Sequence, residues 1–284
     1  MFGEVILNGA NRSFLPNTKI KRSLINEIII MKSKFSKDRF FNAADGQVRK
    51  LKQLDACIAK LTQSSSVEGF PPGIFINEHH DHNFPKEFLI ANFQYFKKMG
   101  IETFFFEFAD DEDQHLFDSA LNSEEVAALD SVVIRGTHKT RTVAIAAIQA
   151  GIRVVALDCK QAREGSPEYF RHPTKEDWDT YYKKRDSIFD ENARRIFNRE
   201  HQSKPYLFYS GLAHGNNNHG FPSFFPGPKI TLLLSDDDFN FHVNGIKQHL
   251  HVDDIIFSRD LGRCYCLASN DENTLAQARI FFPN

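Results

Sequence analysis

From Gly73 onward the chain alternates short apolar runs with stretches of helical periodicity, and this alternation narrows the possible folds more than any other feature. GIFIN (73–77) reads as a strand, followed by a polar loop and then Pro85, which suits the first turn of a helix. Phe88, Leu89, Phe93 and Phe96 recur at helical spacing, and Gly100 closes that helix. IETFFFEF (101–108) is apolar without alternation, as a strand buried on both faces should be. A helix around 139–150 ends at Gly151 and leads into IRVVALD (152–158). Another at 175–199 leads into PYLFYSG (205–211), and KITLLL (229–234), DIIFS (254–258) and RCYCLA (263–268) supply later strands in an order the sequence leaves open. Such alternation predicts an α/β fold: a mostly parallel central sheet with helices on both faces, preceded by a helical N-terminal segment.

The turn-rich stretch QSSSVEGFPPG (63–73) marks the boundary between a basic helical segment, 1–66, and an α/β domain, 67–284. Helices are expected at 20–34 and 45–62. Residues 19–60 carry eleven Lys or Arg against four acids, although the whole chain is near neutral. That segment suits an anionic membrane surface, the acidic remainder of the chain, or simply the solvated faces of amphipathic helices. A nucleic-acid partner is not expected. Four scattered cysteines do not make a disulfide framework in a chain of 284 residues, which points to a reducing compartment. The apolar run LINEIIIM is broken by Glu27 and comes too late for a signal peptide, and nothing approaches a bilayer-spanning length. The expectation is a soluble protein without a Sec signal.

In a parallel sheet the carboxyl ends of the strands share one edge, and ligands bind there. The first four strands bring Glu78 and His80, Glu107, Asp158, and His214 to that edge. In the helix at 175–199, Arg185 and Asn192 fall on the same stripe as Trp178, Tyr181, Phe189 and Ile196. A buried arginine needs a carboxylate partner, and Glu78, Glu107 and Asp158 are the candidates. Glu78 and Glu107 brought together would repel unless Arg185, a protonated His80 or a metal stood between them. Two chemistries follow. In one, His80, His214, Glu78 and Glu107 hold zinc or manganese and a bound water becomes the nucleophile. In the other, His80 or Glu78 is a general base on water and Arg185 steadies the developing negative charge.

These residues resemble, in order, the superfamily of erythromycin esterases, ChaN-like haem-uptake lipoproteins, TraB proteins, Tiki proteases and the middle C-terminal-region domain of Pasteurella multocida toxin. The opening Gly-Glu-x-His motif corresponds to Asn77-Glu78-His79-His80. A strand ending in Glu corresponds to Glu107, Arg-Asp and a following Asn to Arg185, Asp186 and Asn192, and Gly-x-x-His to Gly211 and His214. The resemblance spans roughly 70–220. It implies an α/β fold and a site of Glu78, His80, Glu107, Arg185 and His214, with esterase or metallopeptidase-like hydrolysis in some branches and no activity in the toxin branch. The segment NFPKEFLIANFQYFKKMGIETFFFE looks nearest the toxin branch. Asn77 departs from the motif glycine, although Asn is the non-Gly residue best suited to positive φ. The competing readings are a non-catalytic toxin or effector module for targeting or host binding, and haem or metal binding without catalysis. His79 and His82 read as solvent-facing neighbours, Asp158 as a helix cap or histidine partner, and the acidic run 110–113 as solvated.

Overall fold

The computed structural model describes residues 56–123, 125–200, 203–215, 220–236, 256–260 and 263–281. All of these belong to one unit, Gly46–Asn284. The helix expected at 20–34, the start of that at 45–62, nearly all of the basic segment, and His219, His242, His249 and His251 lie outside the described residues.

The strands are β1 (Gly73–Glu78), β2 (Thr103–Asp110), β3 (Arg153–Asp158), β4 (Tyr206–Gly211), β5 (Lys229–Asp236), β6 (Ile256–Asp260) and β7 (Arg263–Ser269). They form one seven-stranded sheet in the order β3-β2-β4-β1-β5-β7-β6. The first five strands in that order run parallel, while β7 is antiparallel to both its neighbours. The helices of two turns or more that follow β1 are α1 (Phe84–Lys98), α2 (Gln114–Ser123), α3 (His138–Gln149), α4 (Lys175–Glu200) and α5 (Glu272–Phe281).

Alternation along each strand splits the apolar residues between two cores. Ile74, Ile76, Phe104, Phe106 and Leu207 pack with Leu89 and Phe93 of α1 and with Val143 and Ala147 of α3. Cys57, Ile58 and Leu61 of the helical stretch 56–62 join this same core. Phe75, Phe105, Val155 and Phe208 pack on the other face with Phe189, Ala193 and Phe197 of α4. Phe105, Phe208 and Phe75 occupy one register across β2, β4 and β1. Their rings stack in sequence, with centroids 4.5 and 5.0 Å apart.

Several boundaries differ from the sequence reading. β1 keeps Glu78 as its last residue, so that carboxylate is anchored on a strand and not on a loop. β2 begins at Thr103 and runs on to Asp110, because Gly100 turns the chain at a φ of 86° and leaves Ile101 in the connection. Helix α2 was not expected. Its buried side is only Phe117 and Ala120, too little apolar periodicity to stand out from the polar residues around it.

The strand order places a topological switch between β1 and β4. The chain leaves β1 through α1 on one face and heads for β2, then leaves β4 past Phe221 and Phe225 on the other face and heads for β5. Neighbouring strands whose exits part in this way open a crevice at their carboxyl ends. Glu78 and His80 stand on one side of it, Gly211 and His214 on the other.

Candidate functional site

Each sheet face brings one buried carboxylate to the crevice, and each carboxylate has its own cation. Glu78, 1% exposed, receives Lys86 Nζ on both oxygens, at 2.9 and 2.7 Å. The Tyr209 hydroxyl donates to Glu78 Oε2 as well. Burial, with Glu78 adding to it, pushes the Tyr209 phenol well above its ordinary range, so it remains a donor. Lys86 is fully buried and donates further to the carbonyls of His80 and His82, both at 2.8 Å. It therefore pins the loop that carries His80.

Glu107, on the opposite face, accepts the Gly211 N–H at 2.6 Å and lies 3.2 Å from Arg185 Nη2 and 3.3 Å from His214 Nε2. Burial works to raise this carboxyl, but His214 and Arg185 outweigh it and hold Glu107 well below the usual carboxylate range. His214 is itself buried, and its Nδ1 is hydrogen-bonded to Asp186. Burial alone would lower the imidazole, yet Glu107 and Asp186 push it up to about 9. His214 is thus an imidazolium at neutral pH, seated between Phe189, Phe221 and Tyr182.

His80 has the opposite character. Its side chain is 54% exposed, with Nδ1 3.6 Å from Glu78 Oε1. The proximity of Glu78 raises its titration, against the effect of burial. A methyl group on Gly211 would fall 2.7 Å from His80 Cε1, 2.9 Å from Nε2 and 3.6 Å from Glu107 Oε2. Gly211 therefore lets the His80 ring lie over the end of β4, facing Glu107. His214 pairs with Glu107 from within, while His80 lies beside Glu78 and feels the Glu107 charge from the solvent side.

The carboxylate partner expected for Arg185 is Asp158, at 2.7 Å, with Glu107 second. Among the described residues Asp158 partners no histidine: Oδ1 accepts the Cys159 N–H, and Oδ2 holds Arg135 at 2.7 Å and Arg163 at 3.3 Å as well as Arg185. Asp110, from the acidic run read as solvated, is bound by Arg135 and Arg163. Asn192 donates to the Leu157 carbonyl at 3.1 Å, tying α4 to β3 and taking no part in the crevice. His82 Nδ1 is hydrogen-bonded to the Ser235 hydroxyl and accepts the Asp236 N–H at the end of β5.

Of the four side chains offered by the sequence to zinc or manganese, His80, His214, Glu78 and Glu107, the two carboxylates are committed to protein cations and donors, and His214 is held between Glu107 and Asp186. Among the described residues no three His, Cys, Asp or Glu side chains form a metal-holding group. A metal reaching these oxygens would displace the buried Lys86 or Arg185 and strand its charge, so the donor set does not fit the ion.

Lys86 and Tyr209 are the members that sequence reasoning missed, and Asp186, matched within the Arg-Asp motif, was given no place in the site. Lys86 shares a helical stripe with Leu89, Phe93 and Phe96, and Asp186 one with Phe189 and Ala193. The test that singled out Arg185 would have found both. Tyr209 gave no such signal, since a tyrosine in an apolar strand reads as core. No helix among the described residues is long and apolar enough to cross a membrane.

No family model and no curated protein matches the chain. Among solved structures it is similar to the type III effector HopBA1, at 22% identity and a TM-score of 0.40 over 51% of this chain and 69% of that one. It is also similar to RRSP, a MARTX toxin effector domain from Vibrio vulnificus CMCP6, at 17% identity and a TM-score of 0.45 over 75% and 44%. A structure described as bacterial protein toxins gives 17% identity and a TM-score of 0.46 over 75% and 46%. The chain spans less than half the length of the last two. At this level of likeness the function rests on the chain's own residues.

Proposed function

We propose that the crevice between β1 and β4 is a water-activating site of a hydrolase that acts on an ester or peptide-type bond. The observation that carries this reading is the contrast within one histidine pair: His80 is open to solvent beside Glu78, while His214 is locked as a cation between Asp186 and Glu107. Titratable neighbours pushed into different states are how a site divides its acid and base roles. His80 Nε2 takes a proton from water as the oxygen attacks the carbonyl carbon. The charge that develops on the carbonyl oxygen is met by Arg185, the cation at the crevice with some solvent exposure, at 13%. His80 then returns the proton to the leaving group. Glu78 and Glu107, both fully partnered, orient the imidazoles and take no proton themselves. The resemblance of Asn77–His80, Glu107, Arg185 and Gly211–His214 to the esterase and Tiki superfamily supports the same assignment, and its toxin branch would make the chain an effector-type protein.

The test is a panel of ester and peptide substrates given to wild type and His80→Ala. Wild type should turn over at least one substrate, and His80→Ala should slow it by about 10²–10⁴, the usual size of a general-base contribution. Equal rates in the two proteins would refute the assignment. Absence of turnover by wild type across the panel would favour the second reading, a non-catalytic module. That reading has its own support in the complete internal pairing of Glu78 and Glu107.

A further inference from the structure

We propose that Lys86 is the positioning residue of this site, acting on His80 through the Glu78 carboxylate and through the backbone of the 80–82 loop. The inference deepens the hydrolase reading and rests on it for its functional meaning. An amine fully buried on the apolar stripe of α1 is expensive unless every proton has a partner. Here the ammonium group reaches four acceptors: both oxygens of Glu78 and the carbonyls of His80 and His82. Two of these fix charge and two fix chain, and all four converge on one imidazole.

The consequence is a tautomer. Without Lys86 the Glu78 carboxylate would lose the donor that holds both of its oxygens beside His80. With Lys86 and Tyr209 donating to it, Glu78 stays an acceptor and draws the proton of neutral His80 to Nδ1. The lone pair is then left on Nε2, the atom lying over Gly211 towards Glu107. The groups facing His80 are Glu78 and Lys86 from β1 and α1, Glu107 from β2, and the Phe108 ring. Glu78 and Glu107 raise its titration and Lys86 itself works to lower it. A mere loss of the Lys86 charge would therefore shift His80 upward, whereas loss of a positioned Glu78 anion would shift it downward.

Isotope-labelled histidine NMR reads both the tautomer and the titration without any substrate. Wild type should show neutral His80 with its proton on Nδ1. Lys86→Met should move the proton to Nε2 and bring the titration back towards the ordinary value of about 6.5. An unchanged tautomer, or a titration moved upward, would overturn the proposal. Should Lys86→Met not fold, the same change in a Glu78→Gln background leaves no unpaired buried charge. There the His82 amide, which bonds to the His79 carbonyl, should exchange with solvent about tenfold faster than in Glu78→Gln alone, as its loop loses two anchors. Equal exchange would also overturn it. Because neither readout uses turnover, failure here is separable from failure of the hydrolase reading, which His80→Ala decides.

Discussion

His80 and His214 face one carboxylate and differ in almost everything else. His214 is sealed between two acids and three aromatic rings, and Glu107 and Asp186 hold it as a cation against the effect of burial. His80 sits half in solvent beside an acid already neutralised by Lys86, so it keeps the freedom to gain and lose a proton. The same side chain becomes a buried ion or an exposed, titratable imidazole according to whether the neighbouring carboxylate has another cation to hold.

Three changes would break or sharpen this contrast. The largest is Glu107→Gln, which keeps the shape but leaves Arg185 and His214 facing an amide. Stranding buried charge in this way typically costs about 3–5 kcal/mol, measured as a lower urea midpoint. A loss under about 1 kcal/mol would mean that the inner half of the site is not held by this carboxylate.

The second is the pH dependence of stability. The folded pKa of His214, about 9, lies above its ordinary 6.5. Its contribution is fully present below about 6.5 and is lost as pH rises through about 9. Urea midpoints taken across that window should fall by the equivalent of about 3 kcal/mol in wild type. They should stay flatter in His214→Gln. Parallel curves for the two proteins would place the charge elsewhere.

The smallest is Gly211→Ala. The methyl group meets the far end of a half-exposed imidazole and no rigid backbone, so the ring should swing aside at a stability cost of about 1 kcal/mol. The His80 titration would then fall back towards its ordinary value, while that of His214 would not move. A shift of both would show that the two rings are less independent than their surroundings suggest.

Much of this was visible in the chain itself. The βα alternation from Gly73 gives the parallel sheet, and the acids and imidazoles of Glu78, His80, Glu107 and His214 do reach one edge. The partners were harder to see. Lys86 and Asp186 carry a helical-stripe signal that is easily passed over, because a lysine or aspartate on an amphipathic helix is usually solvated. Arg135 lies in a connection and Arg163 in a single helical turn, where no periodicity reports burial, and their meeting at Asp158 and Asp110 depends on long-range packing. The antiparallel placement of β7 was equally hidden, since apolar strands of either direction have the same composition.

The stacked rings of Phe105, Phe208 and Phe75 lie one turn of the pleat beneath this chemistry. Sliding any one of these three strands by a residue would break a stack with its neighbour and turn a ring to the far side of the sheet. The relative heights of Glu107, Gly211 and Glu78 are thereby locked by aromatic contacts remote from the crevice. Of the 28 phenylalanines in the chain, these few act as a vernier that sets polar groups on separate strands level with one another.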